Sequence, residues 1–316
     1  MKKVRMADIA QSLNISIVSV SKALAGKDGV SEEMRARIIA LAKQMGYIAP
    51  DTGKGEAKIS GNIGILVADR FFSDNAFYSN LYRNVLMKST AAGYSALLEI
   101  ISDDDERTCS MPAMILHKKV DGLIFMGEIS RSYLLAAIQS NLPYMLLDFY
   151  DEELGADCVI SDSVSGGYRL TTHLISTGCK EIGFVGSIFS TSSIMDRYLG
   201  YSKALLQAGI QPREEWRLED RNKDGHFKSV ELPSRMPQAF VCSCDEVAYN
   251  LVEKLKHSGY DVPRDVAVAG YDDYRFAQLC DPQLTTYHVN VEGMGTAVVA
   301  QLVKKLHGKR ALKGAL

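Results

Sequence analysis

The chain opens with short stretches in which apolar residues recur every three to four positions. Over residues 7–13, Ile9, Ala10 and Leu13 share one helical face, and Asp8 lies in the first turn, where a negative charge suits the helix dipole. Asn14, Ile15 and Ser16 interrupt that pattern. Asn14 suits a left-handed position, and Ser16 is placed to cap a second helix. That helix is predicted over residues 17–24, where it buries Val20, Ala23 and Leu24 and turns Ile17, Val18, Ser21 and Lys22 to another face. A third begins at Ser31 with Glu32 and Glu33 in its first turn. It carries Met34, Ile38, Leu41, Ala42 and Met45 along one stripe and stops at Gly46. Two short helices around a tight turn, closed by a third, predict a helix-turn-helix, whose second helix enters the DNA major groove by its N-terminal end.

From Asn62 the period changes. Aliphatic runs at 63–68, 94–101, 120–126, 142–147, 158–161, 182–185, 239–242 and 266–269 predict buried strands. Amphipathic stretches between them, such as 77–92 and 194–208, predict helices, and Gly93, Gly178, Gly209 and Gly259 stand at helix ends. Such alternation argues parallel sheets covered on both faces, with enough chain for two. The predicted fold class is α/β: an all-α head over residues 1–49 and a two-lobed body over 62–316. Between them lies the linker 50–61, PDTGKGEAKISG, small, polar and with three glycines.

Charge sharpens this division. The net charge of −2 over 316 residues hides ten Lys+Arg against six acids in residues 1–60 and 26 against 32 in the rest. A basic head on an acidic body is expected where only the head meets a polyanion. The six cysteines have no disulfide-framework spacing and read as reduced core thiols of a cytosolic protein. Cys242 and Cys244 lack a second Cys/His pair at zinc-site spacing, so neither a metal nor another cofactor is expected. Asp8 and Gln11 stand where a secretion signal needs an apolar run, and no stretch is long enough to span a bilayer; the expected location is the cytoplasm, away from membranes.

Parallel sheets bind ligands beyond the carboxyl ends of their strands. Asp69, Asp148, Asp162, Asp245 and Asp272 each closely follow a predicted strand, as acceptors for the vicinal hydroxyls of a polyol would. Phe71, Phe72, Phe77 and Tyr78 add rings that can stack on sugar faces. Asp162 and Asp245 equally suit helix N-caps. No G-x-S-x-G, G-x-G-x-x-G after a strand, P-loop or H-E-x-x-H occurs, and the six histidines are scattered, so an enzyme is not expected. The exposed face of the second helix, Ile17 and Val18 beside hydroxyls and Lys22, suits a groove displaying thymine methyls, phosphates and purine acceptors.

With D-I-A, N-I-S and V-S-K-A-L at their present spacing, residues 4–46 resemble the N-terminal domain of the lactose-repressor family of bacterial transcription regulators. The body resembles that family's periplasmic-sugar-binding-protein-like core through N-A-F-Y (75–78), L-D (147–148), V-I-S-D (159–162), M-D-R-Y-L-G-Y (195–201), V-A-G-Y-D-D (268–273) and D-P-Q-L-T-T (281–286). The resemblance implies a homodimeric regulator, expected to be a repressor, that binds double-stranded operator DNA and answers to a small sugar-like effector. On the DNA side the expected residues are Ser16, Ile17, Val18, Ser19, Ser21, Lys22 and Tyr47: the exposed helix face gives Ile17, Val18 and Lys22 as base readers, and the resemblance implies Ser19, Ser21 and Tyr47 facing phosphates. On the ligand side it implies Phe77 and Tyr78 lining the pocket, Asp148 and Asp272 accepting hydroxyls, Arg197 bridging to the ligand, and Asp245 beside them. The chain departs from the family in three places. Lys54, Gly55, Glu56 and Ala57 replace the alanine-arginine pair and wedging leucine of a hinge helix, so either Ile59 takes that role or the hinge stays extended. Cys244 replaces a pocket asparagine, a thiol being a poorer hydrogen-bond partner than an amide, which points away from simple hexoses or toward a larger role for Asp245. The end, KRALKGAL, lacks the family's closing strand segment.

Overall fold

The computed structural model describes residues 6–24, 28–45, 47, 60–72 and 76–308. The linker expectations, including Ile59, lie outside the described residues, as does the C-terminal KRALKGAL. The chain divides into two compact units, Met1–Lys58 and Ile59–Leu316.

In the head, α1 (Met6–Leu13), α2 (Ile17–Leu24) and α3 (Glu32–Gln44) close on Ile9, Ala10, Val20, Ala23, Ile38 and Ala42. The turn between α1 and α2 is made as the residues dictate. Asn14 takes φ 51°, and Ser16 caps α2 by accepting a 3.0 Å hydrogen bond from the Ser19 amide.

The body has two parallel sheets. The first runs in the order β2 (Ser95–Ile101), β1 (Asn62–Ala68), β3 (Gly122–Met126), β4 (Tyr144–Leu147), β5 (Cys158–Val159). The second runs β7 (Arg217–Leu218), β6 (Ile182–Val185), β8 (Ala239–Cys242), β9 (Ala267–Ala269). In β1, β3, β6 and β8 nearly every residue is buried, as strands covered on both faces require. The longer helices are α4 (Ala76–Ala91), α5 (Arg131–Ile138), α6 (Ser163–Ser176), α7 (Ser192–Gln207), α8 (Asp245–His257) and α9 (Val291–Leu306). The chain passes from the first lobe to the second at 160–162 and returns at 289–290, so that α9 packs on α4 and β4 of the first lobe.

One contact in the second lobe bears directly on the site. A Cβ at Gly167 of α6 would stand 2.2 Å from the Arg197 carbonyl oxygen of α7, and one at Gly200 would stand 2.1 Å from the Val164 carbonyl. Only glycine lets these two backbones meet, and their meeting fixes where the Arg197 side chain starts.

Candidate functional site: a reading helix and a buried polar cluster

In the head, the structure exposes the face that the sequence assigned to DNA. Ile17 is 53% and Val18 63% exposed at the start of α2, and Ser21 and Lys22 continue the same face one turn on. The polar groups beside them make contacts within the head. The Ser16 and Ser19 hydroxyls lie 2.9 Å apart and bond to each other. The Lys22 ammonium folds back to Gly29, 3.1 Å from where a side chain there would begin. Tyr47 departs from the expectation of a phosphate-facing hydroxyl: it packs half-buried on the head's core, and its hydroxyl is enclosed with no partner among the described residues.

In the body, the strand ends bring together the side chains that the sequence scattered over two hundred residues. Asp148 follows β4 in a left-handed conformation, φ 67°, and its buried carboxylate accepts a 2.8 Å hydrogen bond from the Tyr78 hydroxyl of α4. Phe71 and Phe77 flank the Tyr78 ring at 5.0 and 5.3 Å between centroids. Across the lobes, Arg197 projects from α7 with its guanidinium 3.9 Å from the centre of the Tyr271 ring and Nη1 donating to the Ser243 carbonyl. Its Nη2 stands 3.7 Å from Asp272 Oδ1, too long for a hydrogen bond. Arg197 Nε and Asp272 Oδ1 are both buried, and neither has a hydrogen-bond partner among the described residues.

The electrostatics follow from one cation among several acids. Burial works against the Arg197 charge, but Asp272 and Asp148 more than offset it and hold the guanidinium above its ordinary range. Burial pushes the carboxyls of Asp148 and Asp272 upward, against the pull of the one guanidinium they share. The Cys244 thiol is pushed up to about 12 by burial and stays a neutral, inert group.

Two of the carboxylates that follow strands, Asp162 and the predicted ligand residue Asp245, take structural roles. Asp162 caps α6, accepting a 3.0 Å bond from the Ser165 amide. Asp245 does not cap α8 but opens it, and its carboxylate ties two loops together: Oδ2 accepts from the Tyr274 amide at 2.8 Å and Oδ1 from the Thr286 hydroxyl at 2.6 Å. Burial raises its pKa to about 6.

None of the six predicted ligand residues lines the open cleft. That cavity, about 1320 Å³, lies between the lobes and is walled by Arg70, Glu106 and Ser130 on one side and Ser187, Phe189 and Arg221 on the other. Contacts across the lobes stand around the cleft. The Ser192 amide donates to Glu128 at 2.6 Å, the Tyr150 hydroxyl to Asp196 at 3.1 Å, and His226 meets Asp103 at 3.1 Å. Sequence reasoning missed these walls. Arg70 is held by Glu106, and Arg221 by Asp220 at 2.8 Å while stacking on Phe227. The adjacent opposite charges of Asp220 and Arg221 were the available signal. Among the described residues no group of His, Cys, Asp and Glu could hold a metal ion, and no helix is long and apolar enough to cross a membrane.

Residues 5–50 match the family described as bacterial regulatory proteins, lacI family, and residues 171–314 the periplasmic binding protein-like domain. The ribose operon repressor of Haemophilus influenzae is 26% identical over 311 residues, covering 95% of this chain and 91% of that protein. The HTH-type transcriptional regulator RegA of Clostridium saccharobutylicum is 28% identical over 312 residues, covering 96% and 92%. In fold, the chain is similar to the transcriptional regulator CelR in its cellobiose complex, with TM-score 0.70, 22% identity and 99% and 96% of the two chains covered. It is similar also to the lac repressor dimer bound to operator and an anti-inducer, with TM-score 0.68, 21% identity and the same coverage.

Proposed function

We propose that this chain, which carries a lacI-family helix-turn-helix head ahead of a periplasmic-binding-protein-like body, is a sequence-specific DNA-binding transcription repressor governed by a small ligand. It works in the cytoplasm as a homodimer, so that two copies of α2 meet the two halves of a near-palindromic operator. The ligand is a sugar or sugar derivative, in keeping with relatives and neighbours named for ribose and cellobiose. It shifts the operator affinity only through unequal binding to the DNA-competent and DNA-incompetent forms. No catalytic role is assigned to any residue.

The observation that carries this reading is the first turn of α2, where two aliphatic side chains stand in solvent although the head has a complete core of its own. An apolar pair in that position costs solubility and repays it only against another surface. For the ligand, support comes from Arg197 Nε and Asp272 Oδ1, a buried donor and acceptor without partners. In this role Asp272 and Asp148 accept hydroxyls, Arg197 donates, Phe77 and Tyr78 give the apolar wall, and Asp245 shapes the loop that carries Asp272. Entry of a ligand requires the Tyr78 hydroxyl to leave Asp148 or to share it.

Selection of duplexes from a random library by the full chain, followed by titration of a selected duplex with and without a panel of sugars, tests the reading. Salt-sensitive preference for particular duplexes, altered by one of the sugars, is the expected result. Indifference to duplex sequence removes the reading.

A further inference from the structure

The exposed start of α2 also constrains what chemistry on the DNA it reads. Each base pair presents hydrogen-bonding groups in the major groove, and thymine adds a methyl. A helix that sorts base pairs by hydrogen bonds offers polar side chains at its leading end. This one leads with two aliphatic side chains. Ile17 and Val18 project there, 53% and 63% exposed, and they carry only C–H groups. Of the hydroxyls on either side, Ser16 and Ser19 bond to each other, and Ser16 also accepts the Ser19 amide as the helix cap. Lys22, one turn on, is turned toward Gly29. Ser21 and Lys22 are the exposed polar side chains of that face, a turn behind the tip.

From this arrangement we infer that the head reads 5-methylpyrimidines: Ile17 and Val18 select operator positions by packing on thymine methyl groups. This rests on the DNA-reading role proposed above and narrows it to a chemical class of base edge. Both side chains are branched at Cβ and hold one preferred χ1 in a helix, so little freedom is lost when they are pressed against a methyl. The surrounding charge fits the same partner, since residues 1–60 hold ten basic against six acidic side chains to draw in the phosphates.

The test uses a duplex selected by the full chain from a random library and remade with single thymines replaced by deoxyuridine, which removes the methyl and leaves every hydrogen-bonding group in place. At one or two thymines in each half-site, affinity falls about fourfold, the worth of one buried methyl. Restoring the methyl there as 5-methyl-deoxycytidine, paired with guanine, recovers part of what unmethylated deoxycytidine loses. The double variant Ile17→Ala/Val18→Ala binds the thymine and deoxyuridine duplexes alike while melting at the wild-type temperature, since neither side chain is in the core. A protein that prefers its duplex but is indifferent to every thymine-to-deoxyuridine change overturns the inference and leaves the DNA-reading role standing. So does a double variant that keeps the deoxyuridine penalty. Failure to select any duplex overturns the DNA-reading role and the inference with it.

Discussion

Asp245→Asn isolates the contribution of one buried carboxyl to the pH dependence of stability. Burial lifts the Asp245 pKa from 3.8 to about 6, against the hydrogen bonds from Thr286 and Tyr274 that favour its ionised form. In the unfolded chain the group titrates near its ordinary value. Between about pH 4 and pH 6 the folded protein therefore holds a proton that the unfolded chain has released, and stability falls as pH rises through that window. At 1.36 kcal/mol per pH unit the rise is worth about 3 kcal/mol, present in acid and lost by neutrality. Other buried carboxyls add to the wild-type profile, so the informative quantity is the difference between the wild type and Asp245→Asn. The asparagine keeps one acceptor for the Tyr274 amide and offers its amide to Thr286 Oγ, which retains the tie while removing the titration. Urea unfolding across pH 4–7, followed by a probe in the second lobe, should show the wild type losing about 3 kcal/mol more than the variant over that range. Parallel profiles for the two proteins would refute the argument, because they would mean that Asp245 titrates alike folded and unfolded.

Replacing Arg197 with methionine leaves Asp148 and Asp272 buried without their shared cation and should cost about 3–5 kcal/mol at neutral pH, with the deficit shrinking in acid as the carboxyls take up protons; an unchanged urea midpoint at pH 7 would contradict this. Tyr78→Phe removes the hydroxyl that donates to Asp148 and should cost about 1–3 kcal/mol, measured the same way, with no loss of secondary structure by circular dichroism. Gly167→Ala drives a methyl onto the Arg197 carbonyl and should destabilise by about 1–3 kcal/mol or more, whereas Gly178→Ala, where nothing stands within 4 Å of an added Cβ but φ is +101°, should show only the smaller backbone penalty. Ser16→Ala removes the cap of α2 and should cost the head about 1 kcal/mol, visible as faster amide exchange in α2 while the body is unaffected.

The elements that were legible in the sequence are those whose signal is local. The span of α2 could be read from the cap at Ser16 and the burial of Val20 and Ala23, which need no knowledge of the rest of the chain. The strands β6 and β8 coincide with their aliphatic runs for the same reason. Strand β7 was not legible: two residues, Arg217 and Leu218, carry no alternation, and only their pairing with Phe184 and Val185 makes them a strand. The site divides the same way. That Asp148 and Asp272 stand at one edge of the sheets follows from their positions after strands, whereas Arg197 was placed beside them only by the family resemblance. That Asp245 is consumed by Thr286, forty-one positions away, and that Tyr78 donates to Asp148 across seventy, depends on how loops meet and leaves no periodic trace. Tyr47 misled for a related reason, since its place in the sequence does not say whether the ring turns toward the core or away from it.

The bare backbone seam at Gly167 and Gly200 makes Arg197 the end of a stiff lever instead of a free arm. Helix α6 starts at the strand crossing from the first lobe, and α7 is pressed against it too closely for either to slide alone. The backbone that carries the guanidinium is thus seated directly against the helix that begins at the crossing. Retuning the protein toward a new effector should accordingly tolerate rebuilt loops around the cleft far better than any added atom along that seam.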